Sequence, residues 1–117
     1  MAVTAQGSGS QTATIGTEHT LLDVAVAGTF TLHVDMSVLA ALDTVELRIY
    51  QMVLTGGTRR VAYYARYDGL QVADDEIKIS VPISNELTDA GALRFTLKQT
   101  AAPASGKVFP WKVLKYA

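Results

Sequence analysis

The feature that most constrains the fold is an alternation of apolar and polar residues over positions 29–54, interrupted at residues 37–43. The apolar residues occupy every second position: Phe30, Leu32, Val34 and Met36 in a first ribbon, then Val45, Leu47 and Ile49 in a second. Successive side chains of a β-strand point to opposite faces, so this spacing gathers the apolar side chains on one face. The pattern predicts two strands, each with one buried and one solvent-facing side.

Short segments of the same kind recur along the chain at intervals of roughly ten residues. Thr55–Thr58, with the sequence TGGT, predicts a hairpin because paired glycines accept positive φ angles. Ile77, Ile79, Val81 and Ile83 share one phase, and Pro82 falls on the other, which favours an edge strand or a strand end. No long segment has helical periodicity. The sequence therefore predicts an all-β, antiparallel Greek-key or jelly-roll β-sandwich of seven to eight strands.

The 117 residues suit one domain. Residues 1–10 are small, polar and rich in glycine and serine, and such a segment buries too little apolar area to offset its ordering entropy. We expect a flexible amino-terminal arm over 1–10, either a frayed terminus or a segment that orders against a neighbouring subunit. Residues 11–117 are expected to form a single β-sandwich domain, with a loop at Ala101–Gly106.

The composition offers little reactive chemistry. The chain has no cysteine, which excludes disulfides, thiolate zinc sites and cysteine nucleophiles. The two histidines lack metal-ligand spacing, and the acidic run Asp74–Glu76 is interpreted as a solvated turn, with a calcium site as the alternative. No Gly-x-Ser-x-Gly sequence is present. We therefore expect no enzyme activity, catalytic residue, metal or cofactor.

Charge and hydropathy also limit the partners. The formal net charge is −1, so no broad electrostatic attraction to nucleic acid is expected. No apolar stretch approaches the roughly 18 residues of a membrane span, so no membrane association is expected.

The segment from Thr58 to Tyr67, TRRVAYYARY, combines the two residue types that protein interfaces favour. Period two places Arg60, Tyr64 and Arg66 on one face, with Tyr50 across the hairpin, and it places Tyr63 and Tyr67 on the other face. The first of these faces is interpreted as structural surface, as a protein contact, or as a platform on which a sugar or single-stranded nucleic acid stacks. Trp111 either closes the core or anchors a partner. The candidate partner-binding residues are Tyr50, Arg60, Tyr64, Arg66 and Trp111.

Three stretches resemble small virion proteins of tailed bacteriophages. These are the Gly/Ser/Thr-rich amino-terminal arm, the segment TLHVDMSVLAALDTVELRIY at positions 31–50, and the closing FPWKVL at positions 109–114. The resemblance implies a head decoration or cement-type protein, a β-sandwich that sits on an icosahedral shell and strengthens it. It includes no catalytic motif and transfers no site residue.

The expected function is therefore that of a non-enzymatic structural protein of a tailed-phage particle, most of all a capsid decoration protein. Its partners would be the major capsid protein or another virion protein, together with further copies of itself as a dimer or trimer. It would reside on the capsid surface, and in the host cytoplasm during assembly. The alternative is a carbohydrate-binding or tail-adsorption module of the same fold.

Overall fold

Two antiparallel β-sheets pack face to face in the computed structural model, which describes residues 2–101 and 106–116. The strands are β1 Val3–Thr12, β2 Glu18–Val24, β3 Gly28–Asp35, β4 Thr44–Gln51, β5 Arg60–Asp68, β6 Ile77–Ile79, β7 Ile83–Asn85, β8 Leu93–Ala101 and β9 Val108–Tyr116. One sheet has the order β1-β9-β3-β6, with β7 also paired to β3, and the other has the order β2-β8-β4-β5. The predicted all-β sandwich is confirmed.

Most connections cross from one sheet to the other. The β3–β4 crossover contains the first interruption of the alternating pattern, residues 37–43. A second interruption rich in polar and small residues, at positions 84–92, begins within β7 and continues through the β7–β8 crossover. The predicted hairpin is confirmed as the β4–β5 connection, where Gly57 N–H donates to the Leu54 carbonyl at 2.9 Å and Gly56 has φ +72°. The finer jelly-roll assignment stays a prediction.

The apolar phase of the central strands fills the space between the sheets. Strands β3, β4 and β8 each have a strand on both sides, so their inner faces are covered along their length. The fully buried apolar side chains of these strands are Phe30, Leu32, Val34, Val45, Leu47, Ile49, Leu93, Phe95 and Leu97. Phe109 and Val113 of β9 complete this core. The alternation over 29–54 therefore predicted the core correctly.

The amino-terminal segment differs from its sequence prediction. Residues 3–10 of the predicted flexible arm are part of β1. This strand pairs with β9, from Val3 opposite Tyr116 to Thr12 opposite Val108. Met1 lies outside the described residues, and Ala2 precedes the strand. A strand ladder is made of main-chain hydrogen bonds and needs no apolar side chains. Gly9 lies opposite Trp111, and a Cβ there would stand 3.5 Å from the indole. A Cβ at Gly9 would therefore make an ordinary van der Waals contact with the indole, so this position has room for a small side chain.

The described residues contain nine strands, against the seven to eight predicted, for two reasons. The amino-terminal strand is one addition, and the stretch around Pro82 separates the predicted strand over residues 77–83 into β6 and β7. Proline cannot donate a hydrogen bond to the ladder. Of the loop predicted at Ala101–Gly106, residues 102–105 lie outside the described residues.

Strand β6 turns its apolar side chains to solvent. Ile77 and Ile79 are 52% and 56% exposed, while Lys78 and Ser80 are buried. The main chain of β3 determines this orientation, because the Ser80 hydroxyl accepts the Leu32 N–H at 2.9 Å. The period of two is therefore confirmed, and the shared face of Ile77 and Ile79 is the outer one.

Candidate interaction surface

Three of the five candidate residues share the outer face of the β2-β8-β4-β5 sheet. Tyr50 lies near the end of β4, and Tyr64 and Arg66 lie on β5. Tyr64 stands opposite Arg48, and its side chain is 47% exposed. Because both strands alternate, these three side chains point away from the core, as the sequence predicts.

Arg60 does not share that face. Tyr63 lies opposite Ile49 and Val61 lies opposite Tyr50, which leaves Ala62 as the extra residue of a β-bulge. A bulge adds one residue to one strand and so shifts the phase of every position beyond it. The prediction that Arg60 points with Tyr64 is therefore wrong, and the exposed Val61 takes the outer position instead.

Trp111 belongs to the other sheet. It lies on β9 opposite Val34 of β3 and Gly9 of β1, and its partly buried side chain packs against the core. It also borders a shallow cavity of about 360 Å³ whose lining includes His33, Asp35 and Ile77. Trp111 therefore cannot act on one surface together with Tyr50 and Tyr64.

The outer face around Tyr50 is a hydrogen-bonded cluster. The Glu18 carboxylate accepts the Tyr50 hydroxyl at 2.6 Å and the Thr96 hydroxyl at 2.7 Å. Burial raises the pKa of Glu18, but these hydrogen bonds and the neighbouring arginine outweigh it and leave the pKa below its usual value. A cavity of about 400 Å³ opens beside the cluster, and its lining also includes Arg59 and Arg94.

Two further carboxylates on this sheet are paired in the same way. Glu46 accepts the Tyr64 hydroxyl at 2.7 Å and pairs with Arg48 at 3.0 Å. Asp23 accepts both arms of the Arg94 guanidinium, at 2.7 and 3.0 Å. The Tyr64 hydrogen bond lowers the pKa of Glu46, and the Arg94 hydrogen bond lowers the pKa of Asp23. A general acid needs a raised pKa, so both shifts have the opposite sign.

The sequence does not single out these carboxylates, and for Glu18 and Asp23 the reason is that their partners come from strands far apart in the chain. Glu18 and Thr96 are separated by 78 positions, and Asp23 and Arg94 by 71. The sequence contains no local signal for such pairs. Only the sheet order, which places β2 beside β8, brings them together.

A second feature of the surface is apolar. Five exposed side chains lie within the short segment from the end of β5 to the end of β6 and just beyond it: Leu70, Val72, Ile77, Ile79 and Val81, each at least half exposed. We call this set the apolar segment. Each of these exposed apolar side chains would gain free energy if a partner covered it.

Comparison with known proteins assigns no function to these surfaces. No known protein family, curated protein or solved structure matches the chain. Within residues 2–101 and 106–116, no group of three or more His, Asp or Glu side chains is placed to hold a metal ion. The same ranges contain no helix with the length and apolarity needed to cross a membrane.

Tyr67 makes the stability of this sheet sensitive to alkaline pH. Burial, and then the neighbouring Tyr63, raises the pKa of Tyr67 to about 12. In the unfolded chain the pKa is about 10, so the folded state resists ionisation and its stability falls as pH rises from 10 to 12. We expect a loss of about 1–2 kcal/mol over this range. Urea unfolding of the wild type and of Tyr67→Phe at several pH values tests this, because the variant should lose less stability; equal losses would contradict the assignment.

Proposed function

We propose that this chain is a non-enzymatic structural protein that binds the head of a tailed-phage particle as a capsid decoration or cement protein. The observation that carries the proposal is the apolar segment. Ile77 and Ile79 are more than half exposed on β6, whereas Lys78 between them and Ser80 just after the strand are buried. Such a surface gains free energy when another protein covers it.

The exposed apolar area of β6 can supply binding free energy. Covering apolar surface is worth about 25 cal/mol per Å². Two isoleucines on the outer face of β6 can therefore act as anchors, and β6 lies at the end of its sheet, where a partner can approach from the side. Binding through shape and apolar contact needs no reactive group.

The polar face of the molecule is compatible with this role. The carboxylates of Glu18, Asp23 and Glu46 are each held by tyrosine, threonine or arginine side chains. These pairs favour the ionised forms and a fixed surface over proton transfer. The resemblance of the sequence to small virion proteins favours the major capsid protein as the partner.

A co-sedimentation experiment tests this proposal. Purified protein is mixed with undecorated phage heads, and the bound fraction is measured at micromolar concentrations. We expect the wild type to co-sediment and the double variant Ile77→Lys/Ile79→Lys to bind about 10- to 100-fold more weakly, since two apolar anchors are replaced by hydrated charges.

The matched control is the double variant Val53→Lys/Leu54→Lys in the β4–β5 hairpin. Its two side chains are 76% and 73% exposed, so it adds the same charge to an apolar pair elsewhere that is even more accessible. It should bind as the wild type does. Wild-type protein that stays in the supernatant, or a control that binds as weakly as the β6 variant, would contradict the proposal.

A carbohydrate-binding module is the second candidate, and the cavity beside Tyr50 favours it. Its lining offers an aromatic ring, two arginines and two threonines to a polar ligand. A saturable signal on a glycan array that Tyr50→Phe weakens would favour this function. Trp111 lies on the other sheet, so the array is a better readout here than tryptophan fluorescence.

A further inference from the structure

The outer edge of β5 is unpaired within the described part of the chain. β5 is the last strand of its sheet and pairs there with β4. It is nine residues long and contains no proline, and its β-bulge lies at Ala62, so residues 63–67 form a regular stretch of edge. Its solvent-side main-chain groups are therefore available to another strand.

The hydrogen-bond pattern shows which residues offer those groups. Gly69 N–H donates to the Asp43 carbonyl at 2.8 Å, and hydrogen-bonded pairs of an antiparallel ladder occur at every second position. The odd-numbered residues of the stretch 63–67 thus direct their main-chain groups toward β4. Tyr64 and Arg66 direct theirs toward the free edge.

We propose that a second copy of this chain pairs with β5 in antiparallel orientation, about a twofold axis that passes through Ala65. The sequence Tyr63–Tyr67, YYARY, is self-complementary about this point. Tyr64 comes to lie opposite the partner's Arg66, which places a guanidinium beside an aromatic ring. Tyr63 comes to lie opposite the partner's Tyr67, an aromatic cross-strand pair.

Neighbouring registers are less favourable. Moving the axis by one residue to Arg66 places two guanidinium groups opposite each other, and like charges directly opposite are destabilising. Moving it to Tyr64 brings the bulged Ala62 into the ladder, where its main chain does not follow the regular pattern. An axis between two residues would place inward-pointing main-chain groups opposite outward-pointing ones. Ala65 is therefore the centre that the main chain and the charges favour.

This contact deepens the proposed function, since it supplies the self-association expected of a decoration protein. It rests on the proposed function only in the choice of a second copy as the partner. The experiments below use the purified chain alone. A monomer would overturn the β5 contact and leave shell binding to the co-sedimentation experiment. A dimer that does not bind heads would overturn the function and leave the contact intact.

A single-cysteine variant tests the register. The chain has no cysteine, so Ala65→Cys introduces one thiol, and the twofold pairing places it opposite its own copy in a non-hydrogen-bonded pair, where side chains lie closest. The control is Ala62→Cys on the same strand. Its two copies would stand six residues apart along the ladder, roughly 20 Å, which is too far for a disulfide.

Under mild oxidation we expect Ala65→Cys to form covalent dimers at least about tenfold faster than Ala62→Cys. Comparable rates, or no covalent dimer from Ala65→Cys, would overturn the proposed register. Non-reducing electrophoresis measures both, and circular dichroism of each variant verifies that it is folded.

A second measurement requires no cross-link. Arg66→Pro removes an N–H that points to the free edge and is not used within the monomer, and proline is tolerated on edge strands. The substitution also removes the Arg66–Asp68 ion pair, but both of its side chains are exposed, so the pair contributes little to stability. By light scattering from about 1 μM to about 1 mM, we expect the wild type to shift from monomer to dimer and the folded variant to stay monomeric. A wild type that remains a monomer throughout, or a proline variant that dimerises equally, would overturn the proposal.

Discussion

Replacing Phe95 with alanine is expected to lower the free energy of unfolding by about 3–5 kcal/mol. The ring is fully buried on β8, where it lies opposite Leu22 of β2 and Ile49 of β4. Strands on both sides hold its neighbours in place, so the structure cannot collapse into the space left behind. Urea denaturation followed by circular dichroism measures the change.

The matched control for Phe95→Ala is Val61→Ala on the same sheet. Val61 is 49% exposed, so its truncation should change the free energy of unfolding by less than about 0.5 kcal/mol. A loss below about 1 kcal/mol for Phe95→Ala would contradict the arrangement of the two sheets around this ring.

The alternation of the sequence predicted the core well where strands are central. β3, β4 and β8 each have two neighbouring strands, so one face of each is covered by the opposite sheet along its length. In such strands the apolar residues of the alternating phase are buried, as at Leu32 and Leu47. The period was sufficient to find these apolar residues, but it did not predict the buried polar residues Thr31, Thr96 and Gln99.

The same period failed to identify the buried face at the edges. In β6 it correctly separated Ile77 and Ile79 from Lys78, but a period of two does not say which set faces the core. The Leu32 main chain, which needs a hydrogen-bonding partner at Ser80, decides that question. Such a constraint comes from a strand 48 positions away and leaves no local pattern in the sequence.

The predictions for the candidate surface were likewise correct where the ladder is regular and wrong where it is not. Tyr50, Tyr64 and Arg66 were correctly placed on one face, because no irregularity interrupts the β4–β5 ladder between Thr44 and Ile49 and Tyr50 keeps the phase of its own strand. Arg60 was misplaced because a bulge at Ala62 leaves no recognisable mark in the sequence. The amino-terminal strand was missed because its stabilisation comes from main-chain pairing with β9 and not from apolar side chains.

Asn85→Ala is expected to lower the free energy of unfolding by about 2–4 kcal/mol. The sequence around Asn85 indicates only an interruption rich in polar and small residues, and it does not predict a buried amide. Asn85 is 4% exposed, and its amide nitrogen donates to the carbonyls of Val26 and Leu87, both at 2.8 Å. Its amide oxygen accepts the Leu87 N–H at 3.1 Å. Truncation would leave these main-chain groups without their side-chain partner next to the core, and thermal and urea unfolding measure the cost.

Two further variants separate the hydrogen bonds from general effects at this crossover. Glu86→Ala alters the exposed neighbouring residue and should change the free energy of unfolding by less than about 0.5 kcal/mol. Asn85→Asp keeps the acceptor but directs a buried carboxylate at two carbonyl oxygens, which would raise the folded-state pKa of the new side chain. A group whose pKa is raised by folding contributes stability below its unfolded-state pKa, and this contribution is lost as pH rises through the folded-state pKa. Asn85→Asp should therefore be more stable relative to wild type at pH 4 than at pH 7. A pH-independent difference, or an Asn85→Ala variant as stable as the wild type, would contradict the role of this amide in joining the β7–β8 crossover to the β2–β3 connection.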